Sequence, residues 1–187
     1  MRIIIITGPP YSGKGTQCKA LIKELNLAHL STGEHIRKEK ENKTDLGILM
    51  SEYSKKGQLV PDKMMKDFLD TLIQQYKNEE GFILDGYPRT IPQVNDLIEV
   101  LKSHELTISE VINIEVPEKE LLKRAKERAE TSDREDDKNP ETHYKRIRLF
   151  QEFTIPAIEF LKEKYDVLSF DGTGKIERIT KKILARL

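Results

Sequence analysis

The stretch Gly8-Pro9-Pro10-Tyr11-Ser12-Gly13-Lys14-Gly15-Thr16 does most to limit what this chain can fold into. It follows directly on an apolar run, Arg2–Thr7, and opens a segment of helical period, Lys14–Leu25. A strand, a glycine-rich loop and a helix in that order make an anion cradle. The loop's backbone N–H groups converge, and the helix N-terminus adds a favourable dipole. Lys14 is placed to reach the β- and γ-phosphates of a nucleotide, with Gly13, Gly15 and Thr16 around it. The general pattern wants Ser or Thr directly after the lysine, and here Gly15 stands there. The bland alternative is a glycine-rich turn with an incidental lysine. The strand–loop–helix placement weighs against it.

A loop of this kind belongs at the end of a parallel strand, and the rest of the chain agrees. Short apolar runs at Leu27–Ser31, Phe82–Asp85, Val111–Val116 and Val167–Phe170 read as buried strands. Helical stripes lie between them: Met64, Met65, Phe68, Leu69, Leu72, Ile73 and Tyr76, with Asp62 as N-cap; Val94, Leu97, Ile98 and Leu101; Leu121, Leu122 and Ala125; Ile176, Ile179, Ile183 and Leu187. Asn139-Pro140 reads as a cap and first-turn proline, and Pro156 should kink or break the helix they open. The expected architecture is a three-layer α/β/α fold on a five-stranded parallel sheet, one domain over residues 1–187. Two stretches fit the alternation poorly. Thr32–Pro61 is polar and interrupted by Gly47 and Gly57; Glu127–Asn139 is almost wholly charged. Segments that bury so little are candidates for mobile parts over a site.

Charge and cysteine content exclude several classes. Lys and Arg number 32, as do Asp and Glu, so nothing in the charge balance calls for a nucleic-acid or membrane-surface partner. Cys18 is the single cysteine, which rules out an internal disulfide and fits a reducing compartment. The run Ile3–Ile6 is too short for a signal peptide or a bilayer span. A cytoplasmic monomer is expected.

Two further groups of residues suit anionic ligands. Arg37 and Arg89 follow strands and offer guanidinium forks that can grip a phosphate with two bonds. Gln93 carries an amide that can both donate to and accept from a purine edge. Each alone reads as a surface side chain; together, near the ends of neighbouring strands, they read as a ligand site. Asp85 ends a strand beside the phosphate loop, where a carboxylate can orient Mg²⁺-bound water, or simply cap a turn. Arg124 and Arg128 share one helical face, and Arg134 and Arg146 follow. With Glu120 four residues before Arg124, the plain reading is a solvated, salt-bridged surface. Asp171-Gly172-Thr173-Gly174 reads equally as a simple turn.

Gly13-Lys14-Gly15-Thr16-Gln17, Leu30–Arg37, Gly57–Asp62, Gly81–Thr90 and the run ending Arg134-Glu135-Asp136-Asp137 together resemble the adenylate kinase family, over nearly the whole chain. The resemblance implies a reversible transfer, ATP + AMP = 2 ADP, with ATP as donor and Mg²⁺ as cofactor. It implies that Arg37 and Arg89 hold the AMP phosphate, Thr32 and Gln93 face adenine, and the backbones of Val60 and Gly86 line its pocket. Arg124, Arg128, Arg134 and Arg146 would bind the transferred phosphoryl and its neighbours, and the backbone at Gly174 the ATP adenine. Residues 31–60 would form the monophosphate-binding segment and 127–137 a short lid without the Cys/His cluster of zinc-bearing lids. Thr32 and Pro88-Arg89-Thr90 are the adenylate forms; relatives that take UMP or CMP typically carry Ala and Pro-Arg-Asn, so a UMP/CMP kinase is the near alternative. Tyr11 stands where the family usually has glycine, Glu34 replaces a commoner Asp, and Ala129 and Asp133 occupy positions that are often glycine. A more distant alternative is a GTP-dependent switch, since Asn42-Lys43-Thr44-Asp45 matches a guanine signature. It follows a charged run rather than a buried strand, and no Asp-x-x-Gly element accompanies it.

Overall fold

Five strands, β1 (Arg2–Thr7), β2 (Ala28–Ser31), β3 (Gly81–Asp85), β4 (Glu110–Glu115) and β5 (Val167–Asp171), pair in parallel in the order β2-β3-β1-β4-β5. The structure is a computed structural model that describes residues 1–131 and 137–187. The uniform isoleucine run of β1 has a direct cause. Ile3 and Ile5 face one side of the sheet, Ile4 and Ile6 the other, and all four are at most 1% exposed. A central parallel strand is covered on both faces, so it reads as continuously apolar rather than alternating. Each such burial contributes about 1.5–3 kcal/mol.

Helices α1 (Lys14–Leu25) and α9 (Ile176–Leu184) cover the face of Ile4 and Ile6. The opposite face is covered by α4 (Asp62–Gln75), α5 (Ile91–Ser103) and α8 (Ile155–Lys162). The sheet reverses direction of winding at β1, whose neighbours β3 and β4 continue to opposite sides. In open α/β sheets the crevice beyond the strand ends at such a point is where ligands bind. The phosphate loop leaves β1 into that crevice. No described helix is long and apolar enough to cross a membrane.

Four readings are refined. Thr32–Pro61, which fits the strand–helix alternation poorly, is built of two helices, α2 (Thr32–Glu41) and α3 (Asp45–Lys55). Gly47 marks their crossing rather than an interruption, since a Cβ there would collide with the backbone of Glu39. Thr44 caps α3 by accepting from the Gly47 N–H at 3.1 Å, so the guanine-like tetrapeptide is a helix–helix turn. Asp62 is not the N-cap of α4. Pro61 holds that position, and the Asp62 carboxylate accepts from Thr90 Oγ1 at 3.1 Å and Gln93 Nε2 at 2.7 Å. The helix opened by Asn139 is α7 (Pro140–Leu149), and it widens into a π-helical turn, Phe150–Thr154, before Pro156. A proline lacks the N–H for the ordinary ladder, and the wider turn absorbs the mismatch. The charged stretch from Glu127 begins as the end of α6 (Glu118–Thr131), so Ala129 sits inside a helix. Asp133 and Arg134 lie outside the described residues.

Candidate active site

The carboxyl ends of β1, β2 and β3 open onto a cleft of about 730 Å³. Gly13, Lys14, Gly15 and Thr16 form one wall with Asp85; Arg37, Gly86 and Arg89 form another; Arg128 and Arg146 close it from α6 and α7. Residues from five separated parts of the chain thus meet around one space, with cations facing it from several sides. Such a cleft selects for a polyanion.

Lys14 is the first side chain of α1, and its ammonium donates to the Pro9 carbonyl at 3.0 Å. Burial pulls its pKa below the ordinary 10.5, and the charge of Asp85 partly offsets that. Burial pushes the Asp85 carboxyl upward, but the neighbouring His29 imidazole and the charges of Lys14 and Arg89 outweigh it. Asp85 therefore sits below the ordinary 3.8 and stays ionised. Its Oδ2 lies 3.6 Å from His29 Nε2. Cys18, His29 and Asp85 each bring one ligand atom to within 4.8 Å of the others, but sulfur and nitrogen suit soft ions. A hard cation such as Mg²⁺ takes oxygen, and the ionised Asp85 carboxylate with the exposed Thr16 hydroxyl on the same cleft wall meets that requirement.

The acceptor wall turns on Gly86. Its φ of +86° belongs to the region glycine adopts freely, and a Cβ there would come within 3.0 Å of Thr32 Oγ1 and 3.2 Å of Arg89 Nη2. The absent side chain lets Thr32 and Arg89 approach each other. Arg89 Nε donates to the Gly86 carbonyl at 2.7 Å, which fixes the base of the guanidinium fork. Thr32 Oγ1 donates to the Asp85 carbonyl at 3.3 Å. Gln93 is 2% exposed and stands behind the wall: its Oε1 accepts from the Arg89 N–H at 2.8 Å while Nε2 donates to Asp62. Val60, 7% exposed, likewise lies behind the cleft surface.

The arginine segment divides in two. Arg124 bridges the donor side: it donates to the Ser12 carbonyl at 3.2 Å, the Gly172 carbonyl at 2.9 Å and Glu120 Oε1 at 2.9 Å. It thereby ties the phosphate loop to the turn containing Gly174. Arg128 and Arg146 instead converge on one carboxylate. Asp137, 0% exposed, accepts from Arg128 Nε at 2.7 Å and from Arg146 Nη1 at 3.0 Å. Arg134 lies outside the described residues.

Three features of the site carry no readable sequence signal. Asp137 ends a charged run like any surface acid, yet it is the buried anchor of two arginines. Thr154, in the π-helical turn, donates to the Arg89 carbonyl at 3.0 Å and lines the cleft. Tyr11 adopts φ +66° and reaches across the loop to His143 and Arg146. The tyrosine's presence in the loop was visible; its partners were not.

A family model of adenylate kinases matches residues 6–166. The adenylate kinase of Parabacteroides distasonis is 40% identical over 176 residues, covering 94% of this chain and 92% of that protein. The Porphyromonas gingivalis enzyme of the same name is 39% identical over 180 residues, covering 96% and 92%, and that of Leptospira biflexa 37% over 184 residues, covering 98% of each. With an anion cleft at the switch point of its sheet and end-to-end similarity to these proteins, the chain belongs to the adenylate kinase family.

Proposed function

We propose that this protein catalyses ATP + AMP = 2 ADP by in-line transfer inside the cationic cleft. The observation that carries the reading is the convergence of Lys14, Arg37, Arg89, Arg128 and Arg146 on one space at the strand ends. Phosphoryl transfer needs little covalent chemistry from a protein; positioning and charge neutralisation supply most of the acceleration. The acceptor is a phosphate oxygen already ionised at neutral pH, so no general base is required. Lys14 and the phosphate loop hold the donor phosphates, and Arg37 and Arg89 hold the acceptor. Arg128, Arg134 and Arg146 neutralise charge on the group in flight. Arg124 keeps the phosphate loop and the turn at Gly174, which serves the donor adenine, in fixed relation. Asp85, through water, and the Thr16 hydroxyl on the same wall would hold Mg²⁺, which would supply further neutralisation.

Specificity for adenine rests on Thr32, Gln93 and the backbones of Val60 and Gly86. Gln93 meets the purine after exchanging its bond to Asp62. Residues 31–60 and 127–137 close as the monophosphate-binding segment and the lid. Closure keeps out water, the competing acceptor, until both nucleotides are present. The whole site comes from one chain. A coupled assay of ADP release with Mg·ATP against AMP, UMP, CMP, GMP and dTMP tests the reading. AMP is expected to lead by at least about tenfold in kcat/KM, because a site built on purine-edge bonds leaves them unmade with a pyrimidine. Equal or better turnover of UMP or CMP would overturn it in favour of a UMP/CMP kinase.

A further inference from the structure

Tyr11 is the residue of the phosphate loop whose conformation costs most and whose side chain reaches furthest. Its φ of +66° is one that a bulky aromatic residue rarely adopts. Such a conformation persists only where the surroundings over-determine it. Here the surroundings are the arginine segment. The Tyr11 ring stands edge-on to the His143 imidazole, with centroids 5.1 Å apart and planes at 79°. The Arg128 guanidinium lies 6.0 Å from the ring centroid, at the outer limit of a cation–π contact. The phenol hydroxyl makes a short hydrogen bond with His143 Nδ1 and lies 3.4 Å from Arg146 Nη1.

The direction of these bonds follows from the groups. A guanidinium can only donate, so toward Arg146 the phenol oxygen accepts. Of the two senses the imidazole allows, a bare Nδ1 gives the phenol proton an acceptor, at the cost of an Nε2–H that is buried with no hydrogen bond among the described residues. In that sense His143 is the neutral tautomer with its proton on Nε2. Burial, which leaves this residue 4% exposed, also holds its pKa below 6.5 and favours that form. The result is a directed chain from Arg146 to Tyr11 to His143. It links the phosphate loop to α7, 132 residues away in sequence. It also touches both arginines that share Asp137.

We propose that Tyr11 and His143 form a positioning pair for phosphoryl transfer, in which the phenol, braced by the imidazole, sets Arg146 and Arg128 over the phosphate loop. The pair acts through the arginines and touches no reacting atom. The proposal rests on the reading that Arg146 serves the phosphoryl group. A loop with glycine at this position would relieve the backbone and lose the link. The strained tyrosine trades an easier loop for arginines already set in place before nucleotide arrives.

Steady-state kinetics on a small set of variants tests the pair. Tyr11→Phe keeps the ring and removes only the hydroxyl. It should lower kcat about three- to tenfold, the worth of one hydrogen bond, while the KM values for ATP and AMP stay within about twofold. His143→Leu should reproduce that loss. His143→Asn, which presents an oxygen near the place of Nδ1, should recover most of it. On an Arg146→Lys background, itself much slower, Tyr11→Phe should change kcat by less than about 1.5-fold, because the residue it acts through is gone. An undiminished Tyr11→Phe loss on that background overturns the proposal, as does a wild-type kcat for Tyr11→Phe or equal behaviour of His143→Asn and His143→Leu. An unchanged kcat in Arg146→Lys alone overturns the role of the arginine and the pair with it.

Discussion

Replacing Lys14 by methionine separates the charge of this side chain from its volume. Methionine is unbranched, of similar length and apolar. In the cleft, a unit positive charge about 4 Å from developing negative charge contributes about 4 kcal/mol at an effective dielectric of about 20. Water entering beside the methionine restores a little of that. A loss of about 3–4 kcal/mol in transition-state stabilisation corresponds to a fall in kcat of about 10²–10³-fold. Stability should behave differently. Burial pulls the Lys14 pKa below 10.5, so the folded protein carries the ammonium at a cost that methionine removes. Against this stands the lost charge-assisted bond to the Pro9 carbonyl, 3.0 Å long, worth about 1.5–3 kcal/mol. The two effects oppose each other, and Tm should shift by no more than about 4 °C in a protein of this size. The measurements are ADP release at saturating Mg·ATP and AMP, and thermal unfolding without nucleotide. A variant with unchanged Tm and kcat within tenfold of wild type would remove Lys14 from the reacting site.

Three further outcomes follow from the geometry. Gly86→Ala places a Cβ 3.0 Å from Thr32 Oγ1 and 3.2 Å from Arg89 Nη2 at a φ of +86°; the KM for AMP should rise about tenfold while that for ATP stays nearly constant, and equal rises in both would show that Gly86 does not belong to the acceptor side. Asp85 has a folded pKa below its ordinary 3.8, so its carboxylate contributes stability that is complete above that value and fades as pH falls through the lower folded value; Asp85→Asn should therefore lower Tm at pH 7, with the gap to wild type closing below about pH 4, and a gap independent of pH refutes the ionic account. Asp137→Asn keeps the shape but turns one of two charge-assisted acceptors into a donor at a fully buried position; with Arg128 40% exposed its share is reduced, so the loss should be about 2–4 kcal/mol and Tm about 5–12 °C lower, against which a native melting curve would count directly.

The phosphate loop was legible because everything that makes it is consecutive: an apolar strand, converging backbone donors, a lysine and the first turn of a helix. The strands were legible for a related reason. A parallel strand covered on both faces must be apolar throughout, and Ile3–Ile6 states that without reference to any neighbour. Their boundaries differ by at most one residue, as with β2 beginning at Ala28 and β5 ending at Asp171. The set of arginines was also visible as residue types at strand ends and along one helix face. Which polar group each one meets was not. Asp62 looks like a helix cap and is the partner of Gln93, 31 residues on. Gly47 looks like a break and is the crossing point of two helices. Asp137 looks like one more surface acid and is buried between two arginines, while Tyr11 looks like a misfit in a glycine loop and is bonded to His143 on α7. Periodicity and spacing report what a residue does to its own turn or strand. The partner of a polar side chain, and so its burial, charge and orientation, is set by segments that only tertiary packing brings together and dries.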